Sequence, residues 1–130
     1  MVNHRGLRTG PFWAPPGGGL EFGSSAKDKL VQEFKEETGL DIQVGDQLFV
    51  TEYIHPPLHA LEVFFEVTVL GGSLRTGHDP EMAGAEQLIQ DVRFLPFDEI
   101  DALRAEEKHG AFGLVGRAGE IGGLNGYFRI

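Results

Sequence analysis

The stretch from Pro15 to Leu40 constrains this chain more than any other. It opens as Pro15-Pro16-Gly17-Gly18-Gly19, where fixed proline dihedrals and missing side chains exclude regular structure and let backbone approach a ligand closely. A short helix follows. Ser24 or Ser25 can cap it, because a side-chain oxygen there accepts a bond from an unpaired N–H of the first turn. Asp28 places negative charge near the positive end of the helix dipole. Gly39 ends the helix, being the residue type that most cheaply turns left-handed after a last turn. Ala26, Leu30 and Phe34 recur every four residues and form one apolar stripe.

Glu33, Glu36 and Glu37 lie on the same helix. They span an arc of roughly 100° that adjoins the Leu30/Phe34 stripe and overlaps it at Glu37. A solvated acidic face would lie opposite the stripe, whereas this one lies beside it, where the helix must meet the rest of the protein. Carboxylates three and four apart repel one another by a few tenths of a kcal/mol per pair even when exposed. Partial burial raises that cost and pushes one of them to take up a proton. A hard divalent cation removes the conflict, and carboxylate oxygens are the ligands Mg²⁺ prefers. The other reading is a polar helix end with Lys29 and Lys35 as partners. Spacing alone leaves both readings open.

The run Gly18, five residues, Ser24, seven residues, Gln32-Glu33-Phe34-Lys35-Glu36-Glu37-Thr38-Gly39-Leu40 resembles the Nudix box. That pattern is Gly, five residues, Glu, seven residues, then Arg-Glu-apolar-any-Glu-Glu-any-Gly-apolar. Gly18, Glu33, Phe34, Glu36, Glu37, Gly39 and Leu40 match it at the family's spacing. The family's first Glu falls on Ser24 and its Arg on Gln32. In the family that Glu and Arg hold loop and helix in register, and the Arg helps aim the neighbouring Glu. Here both charges are absent, which is milder than losing one, because no unpaired charge remains in a partly buried site. Gly18, Ser24, Gln32 and Gly39 are therefore the positions expected to shape the box.

The resemblance implies an α/β (α+β) fold, the Nudix α/β/α sandwich with a mixed β-sheet. It implies hydrolysis of a nucleoside diphosphate linked to another group, at the pyrophosphate, with Mg²⁺ or Mn²⁺. Glu33, Glu36 and Glu37, with the backbone carbonyl of Gly17, are the implied metal ligands. Glu36 or Glu86 is the implied catalytic base, with Glu81 second to Glu86; both loop acids can equally be solvated charges. The competing class is a Nudix-like module that binds a nucleotide with little or no turnover, favoured by the departures at Ser24 and Gln32. Arg5, Arg8 and His59 are candidates to meet substrate, against a plain reading of each as a surface group.

At 130 residues the chain reads as one domain, 1–130, large enough for a single core. A net charge of −9 and a pI near 4.9 disfavour nucleic acid or anionic membrane as partners, since both call for a basic face. The expected partner is a nucleotide-type small molecule. The absence of cysteine fits a reducing compartment, and with no signal peptide or long apolar run the expected location is cytoplasmic.

Strands are expected at 2–5 and 12–14, with a turn around Thr9-Gly10-Pro11. A Nudix domain normally carries a further strand upstream. The domain thus reads as short at its N-terminus: either that strand is omitted from the given start, or the C-terminal tail or a second copy of the chain, as a homodimer, fills the edge. Trp13 reads as core or as a base-stacking platform. Strands follow at 41–44 and 47–54 around a turn at Gly45-Asp46, and at 61–70, where Val63, Phe64, Phe65, Val67 and Val69 fall together. His55 to His59 is a connecting loop. A short strand is expected at 92–96, then a helix from Asp98, which caps it. Recurrent glycines after Lys108 disfavour helix, and Gly126 to Ile130 can form a final strand that docks on the sheet.

Overall fold

The computed structural model describes residues 1–4, 11–76 and 89–130. Two three-stranded sheets form its framework. In the first, β1 (Val2–His4) is central. It pairs antiparallel with β2 (Phe12–Ala14) on one side and β5 (Ile89–Val92) on the other. Val2 stands opposite both Ala14 and Val92, and it packs with Ile89 and Val92 in a small buried cluster. The expected strand at 92–96 is instead β5, shifted upstream. Its ladder ends where the Arg93 N–H donates to the carbonyl of Met1, beyond the last paired residue of β1.

The second sheet is mixed. β3 (Leu40–His55) and β4 (Leu58–Gly72) make a long antiparallel hairpin around Pro56-Pro57. The expected turn at Gly45-Asp46 is not there: β3 runs straight through, with a register shift between Val44 and Gln47. A β-bulge absorbs turn-prone residues without ending a strand when the partner strand is continuous, as β4 is. β6 (Gly126–Arg129) docks parallel to β3, from Phe49 opposite Gly126 to Glu52 opposite Arg129, as the sequence suggested. Phe49 is fully buried and its ring stacks on Phe64 with centroids 4.4 Å apart.

Two helices complete the α/β framework. α1 (Ala26–Thr38) packs on β3 and reaches β5. α2 (Phe97–Ala102) packs on the 3₁₀ turn at Ala118–Gly123, with Ile100, Phe112 and Ala118 forming a second buried cluster. The cap of α2 is Pro96, not Asp98, whose carboxylate accepts from the next N–H, that of Glu99, at 2.9 Å. Proline suits this place, since its fixed φ introduces the first turn. The glycine-rich stretch after α2 forms only 3₁₀ turns, at Ala105–Glu107, Gly110–Leu114 and Ala118–Gly123.

His109 joins these parts. Its backbone N–H donates to the Trp13 carbonyl at 2.9 Å. Its ring Nδ1 accepts from the Ala111 N–H at 3.1 Å, so the ring proton sits on Nε2, 3.0 Å from both carboxylate oxygens of Glu62 on β4. Trp13 is buried, with the Arg93 guanidinium 4.9 Å from its ring centroid, so it serves as core. Among the described residues no helix is long and apolar enough to cross a membrane.

Candidate functional site

α1 starts and stops as its sequence dictates. Ser25 is the cap, in extended conformation, and its hydroxyl accepts from the Asp28 N–H at 3.1 Å. Gly39 ends the helix with φ +78°, and its N–H donates to the Lys35 carbonyl. The polar side of the helix is the side that turns inward. Lys29, Glu33, Glu37 and Thr38 are buried, whereas Leu30 and Phe34 of the apolar stripe are only half-buried.

Each box carboxylate is held by a different contact. The Gly17 N–H donates to Glu37 Oε2 at 3.0 Å, which ties the glycine loop to the last turn of α1. The Glu33 carboxylate lies directly against Gly18, where an added Cβ would stand 2.5 Å from Glu33 Cδ. Gly18 is therefore required by close approach. Gln32 Nε2 donates to Glu36 Oε1 at 2.9 Å, so the residue in the box's arginine position still aims a carboxylate, as a neutral group. The other oxygen, Glu36 Oε2, is buried and has no hydrogen-bond partner among the described residues.

Lys29, one of the two partners in the alternative reading of a polar helix end, does pair with a box acid, but buried: it is 3% exposed, with Nζ 2.9 Å from Glu21 Oε1 and 3.0 Å from Glu33 Oε1. Its hydrogen bonds to Glu21 and then Glu33 hold the ammonium above its ordinary pKa. The link to Glu21 is the part that sequence reasoning missed, because it crosses from helix to loop and has no fixed spacing to mark it. Lys35, the other expected partner, turns away to Asp41 at 3.2 Å.

Among the described residues, no three acidic or histidine side chains form a ready metal centre. Glu33 is held toward Lys29 and Glu37 toward Gly17. The donor set still suits a hard divalent cation. It is all oxygen, and an orphaned carboxylate oxygen on Glu36 is available to it.

Arg5, Arg8, Glu81 and Glu86 lie outside the described residues, as do the loop from Gly77 and the residues 9–10 of the expected first turn. His59 is described. It stands on β4 opposite Ile54, with Nε2 2.5 Å from Glu52 Oε2. The Tyr127 hydroxyl from β6 donates to the other oxygen of Glu52. Together the Tyr127 hydroxyl and then His59 hold the Glu52 carboxyl below the usual range, while Glu52 pushes Tyr127 up. His59 thus belongs to a cluster on the sheet, apart from the box contacts.

An acidic helix strapped by a glycine loop onto a mixed sheet defines a Nudix-type fold. A solved structure titled UDP-X diphosphatase supports this at the level of fold, with a TM-score of 0.61 and 22% identity over 98% of this chain and 59% of that one. The NUDIX domain family model matches residues 1–114, and the chain belongs to the Nudix family. An ADP-ribose pyrophosphatase of Methanocaldococcus jannaschii is 36% identical over 81 residues, 58% of this chain and 48% of that protein. An 8-oxo-dGTP diphosphatase of Proteus vulgaris is 34% identical over 76 residues, 53% of this chain and 68% of that protein. The chain thus matches about half the length of the archaeal relative. Nudix hydrolases in general use divalent metal ions.

Proposed function

We propose that this chain is a Mg²⁺- or Mn²⁺-dependent hydrolase that cleaves the pyrophosphate of a nucleoside diphosphate linked to another group. The observation that carries this reading is the placement of Glu33 and Glu37 against Gly18 and Gly17, with Glu36 beside them on the same helix. The names of the relatives support it, since ADP-ribose, a nucleoside triphosphate and a UDP conjugate share one element, a phosphoanhydride attached to a nucleoside.

Glu33, Glu36, Glu37 and the Gly17 carbonyl would hold the ion. When bound, it supplies Lewis-acid polarisation of a phosphoryl oxygen and lowers the pKa of a nearby water. The chain's own groups do the rest. Glu36 or Glu86 takes the proton of the attacking water. A new P–O bond forms, the anhydride P–O bond breaks, and a phosphate ester leaves. The Gly17 N–H fixes the orientation of Glu37, and Gln32 fixes that of Glu36. Arg5, Arg8 and His59 remain candidates for substrate contact. The acidic balance of the chain fits a small-molecule partner better than nucleic acid or membrane, and its lack of cysteine fits a cytoplasmic setting.

A second reading, a nucleotide-binding module with weak turnover, is favoured by one observation: the box positions that carry Glu and Arg in the family hold the neutral, exposed Ser24 and Gln32. The two are separated by assaying nucleoside diphosphate derivatives with Mg²⁺ and Mn²⁺ in the wild type and in Glu37→Gln. The expected outcome is hydrolysis by the wild type and none by the variant, with unchanged thermal melting. Equal activity in both would remove the box from the chemistry. Wild-type metal binding without turnover would select the binding module.

A further inference from the structure

In the Nudix box a Glu in the loop and an Arg on the helix stand eight residues apart. In this chain those positions are Ser24 and Gln32, and both are exposed. An ion pair of the same span nevertheless exists between Glu21 and Lys29, also eight residues apart. Both members are displaced three positions toward the N-terminus. On the helix three positions are nearly one turn, about 4.5 Å along the axis and about 60° short of a full rotation. From there Lys29 reaches Glu33 along the i,i+4 ridge, at 3.0 Å. Glu21 lies in the segment between Gly18 and the Ser25 cap, so the pair also ties loop to helix, with Nζ 2.9 Å from Glu21 Oε1.

We infer that Glu21 and Lys29 are a relocated ionic brace, which positions the Glu33 carboxylate beneath Gly18 in place of the charged pair absent at 24 and 32. Three facts converge on this. Lys29 is almost fully buried, which is unusual for lysine unless its charge is used. Its ammonium touches one loop acid and one box acid and so bridges the two segments that must stay in register. Glu33 in turn lies directly against Gly18, where an added Cβ would stand 2.5 Å from its carboxylate carbon. A lysine makes this brace as a point charge with one contact to each acid. An arginine would supply a rigid fork, which is why the substitution is geometric and not a simple exchange.

The inference rests on the proposed metal site, and its test separates the two. Mn²⁺ affinity, followed by water-proton relaxation, is measured for the wild type, Lys29→Met, Lys29→Arg, Glu21→Gln, and Lys29→Met combined with Ser24→Glu and Gln32→Arg. Hydrolysis kinetics and metal-free melting are recorded on the same samples. We expect Lys29→Met to weaken Mn²⁺ binding at least tenfold and to lower kcat more than it raises KM. Glu21→Gln should show the same pattern more weakly, and it remains informative if Lys29→Met does not fold. Lys29→Arg should recover part of the loss, and the triple variant most of it, by rebuilding the pair at the family's positions. Unchanged Mn²⁺ affinity in both Lys29→Met and Glu21→Gln would overturn the brace. So would a triple variant as impaired as Lys29→Met. A wild type that binds Mn²⁺ but hydrolyses nothing, with affinity still dependent on Lys29, would overturn the enzyme reading and leave the brace standing.

Discussion

Two charged clusters in this protein use similar contacts around central groups of different exposure. On α1, the Lys29 side chain is 4% exposed and joins Glu33, at 10%, to Glu21, at 56%. On the mixed sheet, the Glu52 side chain is 21% exposed and joins His59, at 59%, to Tyr127. Exposed pairs are screened by water and salt and add little to stability. A buried pair is different: its desolvation is already part of the fold, and removing one partner strands the other. Geometry alone does not rank the clusters. Burial does, and burial picks out the one beside the glycine loop.

The largest effect is expected from Gly18→Ala. The new methyl would meet the Glu33 carboxylate at 2.5 Å, and the carboxylate is the end of a side chain that can move. Turnover should fall by about 10²-fold, the scale for a misplacement of about 1 Å. Thermal melting should change little, because the side chain yields before the backbone does. A large melting loss at full kcat would mean that Glu33 is structural.

A smaller effect is expected on the sheet. Glu52→Gln should change hydrolysis far less than Gly18→Ala does, and only through the His59 it holds. It should bring the Tyr127 pKa down toward its ordinary 10.0, followed by ultraviolet titration in a Tyr53→Phe background. The acid side follows from the sign of the Glu52 shift. Its folded carboxyl lies below the ordinary 4.5, so its contribution is present above that pH and is lost as pH falls through the lower folded value. The variant should therefore lose less stability than the wild type on acidification through that window, as read by melts from pH 6 to pH 3. Equal losses would show that the cluster does not hold Glu52 as described.

The smallest effect concerns Thr51, fully buried on β3, whose hydroxyl has no partner among the described residues. Thr51→Val should stabilise the fold by about 1 kcal/mol in chemical denaturation, since it removes an unsatisfied buried hydroxyl at nearly constant volume. A loss of that size would reveal a partner for the hydroxyl.

What the sequence could reveal follows from the range of each interaction. Glu33, Glu36 and Glu37 were legible because a helix converts fixed spacing into a shared face, and Ser25 and Gly39 because caps are local. Lys29 was visible only as half of a pair, since its link to Glu21 crosses from helix to loop. The turn at Gly45-Asp46 was misread because the same residues serve a bulge when a long partner strand runs past them. The contact between His109 and Glu62 spans 47 residues and leaves no local mark. Two sheets in place of one were equally out of reach, since strand propensity does not say which neighbour a strand chooses.

That His109 contact has a mechanical side. Trp13 sits two residues before Pro15, where the glycine-rich stretch begins, and its carbonyl is pinned by a residue whose ring is anchored to β4. The approach to the glycine loop is thus bolted to the wall of the sheet at one end, and Glu37 clasps Gly17 at the other. Held at both of its ends, the stretch from Trp13 to Gly17 delivers Gly18 to its place against the Glu33 carboxylate.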